Sequence, residues 1–194
     1  VLAWTRRQDP GVRFALAWLI PAWIVFEAMP TKLVHYPLPT YGALPWLGAA
    51  ALAQPMGQRA RWTGAGLAAL VGAALAVAVF YLTSLYGDRT DIPMAFLSAG
   101  LFAGTGLGAA WLMVRKTPRT AMMAGLALGV VSHDVLAAGL APRLDPLWLS
   151  RRVETVMADA HLLPRQGIAE APVAVAGYAE PSLVFALGTP TELH

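Results

Sequence analysis

The sequence predicts an all-α membrane protein with about five transmembrane helices and a small extracytoplasmic α/β subdomain at its C-terminus. Three observations carry that expectation. Hydrophobic residues make up 57% of the 194 and charged residues 13%, with a mean hydropathy of +0.56, whereas a soluble domain is near half apolar and a quarter charged. The apolar residues gather into long runs separated by short polar or basic turns. Beyond residue 141 the runs stop, and charges and turn residues become regular. The expected division is a helical membrane domain over residues 1–141, the C-terminal portion of a larger membrane domain, and an extracytoplasmic tail over 142–194.

Arg6, Arg7 and Arg13 flank a turn at Asp9-Pro10-Gly11 and lead into the first expected span, Phe14 to Phe26. It is short for a hydrocarbon core of roughly 30 Å, and Pro21 removes one of its backbone hydrogen bonds and kinks it. A second, weaker span covers Pro37 to Ala53, with Pro39 and Pro45 near its start and Trp46 as an interface anchor. The two make an antiparallel hairpin. Trp62 to Tyr86 is the clearest span, twenty-five residues without a charge. Pro93 to Val114 crosses back, and Ala121 to Ala141, interrupted by Ser132-His133-Asp134, is the fifth. In the tail, Asp145 caps an amphipathic helix with Pro146 at its first position, while Pro172 to Gly177 and Ser182 to Leu187 read as strands.

Charge orients the bundle. Counting the short loops, Arg6, Arg7, Arg13, Arg59, Arg61, Arg115, Lys116 and Arg119 fall on one side, and Lys32 and Arg89 on the other. The first side is cytoplasmic by the positive-inside rule. The net charge of +3 is spread in small clusters between apolar runs, which argues against a nucleic-acid face. Without cysteine, disulfides, thiol catalysis and thiolate metal sites are excluded. Twelve arginines against two lysines, abundant alanine and glycine, and no asparagine fit GC-rich coding and a bacterial inner-membrane, multi-pass protein. An opening at Val1, with no basic-then-apolar leader, is expected of the middle of a longer protein.

The most chemical stretch is the polar island Pro30-Thr-Lys32-Leu-Val-His35-Tyr36-Pro37-Leu-Pro39-Thr-Tyr41, placed at the outer surface by this topology. A lysine ammonium is a compact charge suited to phosphate, tyrosine hydroxyls donate to phosphate oxygens, and histidine donates or handles a proton. Together they suit a lipid-linked phosphate at the interface. The plainer reading makes Lys32 a snorkelling anchor and the tyrosines an aromatic belt. Residue types alone favour the plainer reading, because such anchors are common at span ends.

The run Phe14-Ala-Leu-Ala-Trp18-Leu-Ile-Pro21-Ala-Trp23-Ile-Val-Phe26-Glu27-Ala-Met-Pro30-Thr-Lys32-Leu-Val34-His35-Tyr36-Pro37-Leu-Pro39-Thr-Tyr41, and later Gly177-Tyr-Ala-Glu180-Pro181-Ser-Leu-Val-Phe185, resemble segments of the bacterial polyprenyl-phosphate-dependent glycosyltransferases. This is glycosyltransferase family 39, which includes protein O-mannosyltransferases and the aminoarabinose transferases of lipid A. The two matches lie in the family's order and cover both ends of the chain; the middle matches only as hydrophobic spans. The resemblance implies a transferase that moves a sugar, with inversion, from a polyprenyl-phosphate donor to a lipid or protein acceptor outside the cytoplasm. It implies that Lys32, His35, Tyr36 and Tyr41 contact the donor phosphate or carrier lipid, and that membrane lipids surround the chain. It implies no cofactor.

Two departures bear on this. Val34 stands where many relatives have proline, which loosens the loop. The family's general base is an aspartate in the first outer loop of the N-terminal half, so no catalytic residue is assigned here and the chain alone is expected to be inactive. Asp88 and Asp91 read as solvated loop charges.

The remaining features carry plainer readings. His133 and Asp134 are either a proton relay or ion site or a structural pair; adjacent residues diverge by about 100° on a helix, which suits a shared metal poorly. Gly100, Gly104 and Gly108 read as a smooth face for close helix packing rather than a dinucleotide loop. Arg151-Arg152 reads as an exposed helix face, and Glu180 and Ser182 as turn residues without a nucleophile elbow. No histidine, His161 and His194 included, shows metal-ligand spacing, and no metal site is expected. The competing functional readings are a non-catalytic membrane protein, such as a small permease or assembly factor, and a polymerase or ligase of lipid-linked sugars. Paired interrupted helices in two related halves would mark a transporter, and the sequence shows no such repeat.

Overall fold

The computed structural model describes residues 6–29, 36–53, 55–163, 173–177, 181–187 and 191–193. It is predominantly helical. Among the described residues four helices are long and apolar enough to cross a membrane: Pro10–Ala28, Gln58–Tyr86, Ile92–Arg115 and Pro118–Arg143.

Helix α1 (Pro10–Ala28) begins a full turn earlier than its apolar run suggests. The Asp9 carboxylate accepts from the Gly11 and Val12 amides at 2.9 and 3.3 Å, and Pro10 sits at the first helical position, where its missing N–H costs nothing. Nineteen residues give about 28 Å of helix, so the span is longer than the expected Phe14 to Phe26. It stops at Met29, which is extended, as a residue before proline must be.

The second expected span takes a different form. A 3-10 turn at Leu38–Thr40 leads to helix α2 (Ala43–Leu52), with Pro37, Tyr41 and Gly42 also in right-handed helical geometry. The chain coils from 37 to 53, but regular α-helix covers ten residues, about 15 Å. Pro39 and Pro45 each lack a backbone donor, so the first turns cannot join into one α-helix. The α1–α2 pair is an antiparallel hairpin closed by aromatics. The Phe14 ring lies 6.2 Å from that of Trp46, and a Cβ added at Gly42 would come within 2.9 Å of the Trp18 ring.

Helices α3 (Gln58–Tyr86), α4 (Ile92–Arg115) and α5 (Pro118–Asp134) form an up-down-up bundle. The α3–α4 contact is at backbone range. A Cβ at Gly72 would lie 2.7 Å from the Phe102 carbonyl, and one at Gly106 would lie 2.6 Å from that of Ala68. The packing face of α4 is thus Ala95, Ala99, Phe102 and Gly106, all buried. The expected stripe of Gly100, Gly104 and Gly108 faces open space, with nothing within 4 Å of an added Cβ. The facing glycine on α3 selects the α4 stripe, and the α4 sequence alone does not contain that information.

The bundle's ends are tied by polar groups. Arg61 donates to the Met113 and Val114 carbonyls at 2.8 and 2.9 Å and to that of Lys116, filling acceptors that a helix C-terminus leaves open. At the other end Gly87, Asp88 and Asp91 shape the α3–α4 turn. The α5 helix continues through a π-turn at Val135–Leu140, in which the Ala141 N–H reaches back to the Leu136 carbonyl, and then a 3-10 turn at Ala141–Arg143. Leu140 and Leu144 close the core with Val79, Ala95, Ala99 and Phe102.

In the tail, Asp145 lies in a 3-10 turn (Asp145–Leu147) and caps nothing with its side chain. Helix α6 (Leu149–Asp159) starts after Trp148, whose indole N–H donates to the Ala141 carbonyl at 2.7 Å. It ends in a Schellman motif: Leu162 N–H to Met157 O at 2.8 Å and His161 N–H to Ala158 O at 3.0 Å, with His161 at φ 56. Strand β1 (Ala174–Val175) pairs in parallel with β2 (Glu192–Leu193). The segment expected as a second strand, Ser182 to Leu187, is instead helix α7 (Pro181–Leu187). Proline at its start presets the helical φ, and Leu183 and Leu187, one turn apart, bury together with Leu163 against Val153 and Met157 of α6.

Candidate functional site

The polar island that the sequence singles out is described from Tyr36 onward; Lys32 and His35 lie outside the described residues. Tyr36 is half-buried, its ring 6.1 Å from that of Phe26 at the end of α1 and tilted by 34°. Residues 37–41 form a self-bonded turn. The Thr40 side chain is 1% exposed, and its hydroxyl donates to the Pro37 carbonyl at 2.6 Å. The Thr40 and Tyr41 amides donate to Pro37 and Leu38 at 2.9 and 3.1 Å.

This turn presents Tyr41, 42% exposed, at the entry to α2. Proline at 37 and 39 fixes φ and the Thr40 bond braces the turn, with Tyr36 beside Phe26 at the end of α1 and Tyr41 next to Gly42, which packs toward Trp18 farther back along α1. Of the two phenols, that of Tyr41 is the more exposed.

A groove that no motif pointed to lies at the α3–α4 turn. It encloses about 460 Å³ and is bordered by Phe80, Ser84, Asp88, Arg89, Ile92 and Phe96. Phe80 and Phe96 meet edge to face at 4.9 Å. Its hydroxyls are occupied, Ser84 donating to Tyr81 O at 2.7 Å and Thr83 to Val79 O at 2.8 Å, while Asp88 and Arg89 put charge on its border. The only sequence signal was the pair of phenylalanines, sixteen residues apart on different helices.

The acidic residues of the same turn are structural. The Asp88 carboxylate accepts from the Thr90 hydroxyl and amide, and the Asp91 carboxylate from the Asp88 amide at 3.0 Å. The Thr90 hydroxyl, followed by its backbone N–H, holds the Asp88 carboxyl below its usual value. Asp91 is 4% exposed. The Asp88 carboxylate is not poised as a base, because the hydrogen bonds it accepts favour its ionised form.

His133 and Asp134 are exposed on α5, level with the middle of α4. Thr105 Oγ1 lies 3.0 Å from Ser132 Oγ, and the His133 ring meets Phe102 edge to face at 5.0 Å. The His133 Nδ1 lies 2.8 Å from the Gly129 carbonyl, which can only accept, so the ring is tied to its own helix through Nδ1. In the tail, Ser182 Oγ is 2.9 Å from Ser150 Oγ, a hydroxyl pair bridging α6 and α7. Arg151 stacks on Trp148 at 5.9 Å and donates to the Pro142 carbonyl at 3.4 Å, which ties the tail helix to the end of α5. Among the described residues no three His, Cys, Asp or Glu side chains converge as a metal site.

Comparison of the chain with known protein families, curated proteins and solved structures finds no match.

Proposed function

We propose that this chain is part of an inner-membrane glycosyltransferase that moves a sugar from a polyprenyl-phosphate donor to a lipid or protein acceptor on the outer side of the membrane. The observation that carries the reading is the segment Phe14 to Tyr41, whose resemblance to family 39 coincides with a rigid, tyrosine-bearing corner at the mouth of a helical hairpin. In this proposal α1 and the coil from 37 to 53 both traverse apolar surroundings, giving about five membrane segments, and α6, α7 and the β1–β2 pair form an extracytoplasmic α/β subdomain.

Lys32 supplies the point charge for the donor phosphate, and His35, Tyr36 and Tyr41 donate hydrogen bonds around it. The acceptor hydroxyl oxygen attacks the anomeric carbon, the bond from that carbon to the phosphate oxygen breaks, and polyprenyl phosphate leaves with the electron pair. The hydroxyl proton goes to a carboxylate base outside these residues. Hydrogen bonds to the leaving phosphate strengthen as its charge develops, so this corner acts on the departing group.

In the full-length enzyme, Lys32→Ala and Tyr36→Phe should each raise KM for the polyprenyl-linked donor about tenfold, the loss of one hydrogen bond to a charged group, with expression and acceptor KM unchanged. Donor kinetics like those of the unaltered enzyme in both variants would remove the phosphate role.

A further inference from the structure

The basic end of the α3–α4 pair carries a second groove, independent of the glycosyltransferase reading. It encloses about 370 Å³ between Trp62, Gly66 and Ala69 of α3 and Ala110, Trp111 and Arg115 of α4. The floor is alanine and glycine, and the two tryptophans, each 58% exposed, form opposite walls. A Cβ added at Gly66 would meet nothing within 4 Å, so the groove is open above it. The groove is held in shape from below, because Arg61 clamps the last carbonyls of α4.

We propose that this groove seats an acyl chain of an anionic phospholipid whose phosphate is bound by Arg115. Three observations select that occupant. The alanine and glycine floor offers no side-chain hydrogen-bonding group, which suits an alkyl chain. The exposed Arg115 stands at the rim where the helices end, and a guanidinium binds phosphate oxygens through paired N–H donors. Exposed Arg59, Lys116 and Arg119 surround it, so the local field selects a negative headgroup over a zwitterionic one. Trp62 and Trp111 lie within two turns of the helix ends, the level at which indoles sit between headgroups and chains. The groove at the opposite end has Asp88 on its border and lacks that selectivity.

The test is native mass spectrometry of the protein in detergent titrated with phosphatidylglycerol or phosphatidylcholine of equal chain length. One phosphatidylglycerol should be retained on the order of fivefold more tightly than phosphatidylcholine, the discrimination expected of one basic side chain near an anionic surface. Arg115→Gln should weaken both lipids, which share the phosphate, and leave the part of the preference that Arg59, Lys116 and Arg119 supply, whereas Arg115→Lys should keep most of the binding of both. Gly66→Leu fills open space, so it should weaken both lipids without changing the thermal unfolding followed by circular dichroism. Equal retention of the two lipids by the unaltered protein, binding of both unaltered by Arg115→Gln, or unaltered binding by Gly66→Leu would each overturn the proposal. So would displacement of phosphatidylglycerol by inorganic phosphate alone, which would make the site one for a free anion.

Discussion

The α1–α2 hairpin and the α3–α5 bundle are both helical and apolar, yet they are held together differently. In the bundle, Gly72 and Gly106 bring two long helices to backbone contact, a geometry that tolerates no added atom. In the hairpin, large rings meet at about 6 Å, and prolines break the second arm into a 3-10 turn and a ten-residue helix. Tight small-residue packing makes a rigid frame; aromatic packing around a proline-fixed turn leaves Tyr41 exposed. The proposed site is on the second kind of element, where the backbone is irregular.

This contrast is open to mutation. The largest effect belongs to the bundle: Gly106→Leu should destabilise it by about 3 kcal/mol, because its Cβ would press on the Ala68 carbonyl. Gly104→Leu, which faces open space, should change stability by less than about 0.5 kcal/mol. Thermal unfolding of both variants in one detergent compares them, and equal effects would mean that α3 and α4 pack on another face.

A smaller effect is expected in the hairpin. Thr40→Val keeps the shape of a buried side chain but removes its bond to Pro37 O, and should cost about 1 kcal/mol. Near-neutral stability there would show that the prolines alone fix the corner.

These two interfaces also show what the sequence made legible. The spans α3, α4 and α5 followed from apolar runs and basic turns, since length and hydropathy suffice to mark a membrane-length helix. The start of α1 was missed by a turn, although Asp9-Pro10 carries the cap and first-position signals that fix it. The coil over 37–53 departs from a regular span for the same prolines that were visible beforehand. The glycine stripe was assigned to the wrong face because it depends on Gly72, thirty-four residues before Gly106.

In the tail, Ser182 to Leu187 was read as a strand because a short apolar run has no decisive periodicity, while Pro181 favoured a helix. Of the four residues expected at a phosphate, the structure describes Tyr36 and Tyr41, while Lys32 and His35 lie outside the described residues. Neither groove was legible, since each is made of side chains from two helices that meet only in the folded chain.

The smallest effect concerns the turn that joins the bundle's long helices. The bonds from Thr90 lower the folded-state pKa of Asp88, so their contribution is present above the ordinary value near 3.8 and is lost as pH falls through the folded value. A carbon-13 carboxyl titration should place the Asp88 midpoint below 3.8, and Thr90→Val should raise it. A midpoint unchanged by that substitution would mean that Thr90 does not hold the turn.

The central claim, that the hairpin corner and not the bundle meets the donor phosphate, is tested most directly by photocrosslinking. A polyprenyl phosphate with a diazirine next to its phosphate would be bound to the protein, irradiated, and its attachment points mapped by peptide mass spectrometry. Attachment within residues 30–41, suppressed by excess unlabelled polyprenyl phosphate, is the predicted result. Attachment confined to the α3–α4 turn or the tail, with the corner unlabelled, would contradict the account.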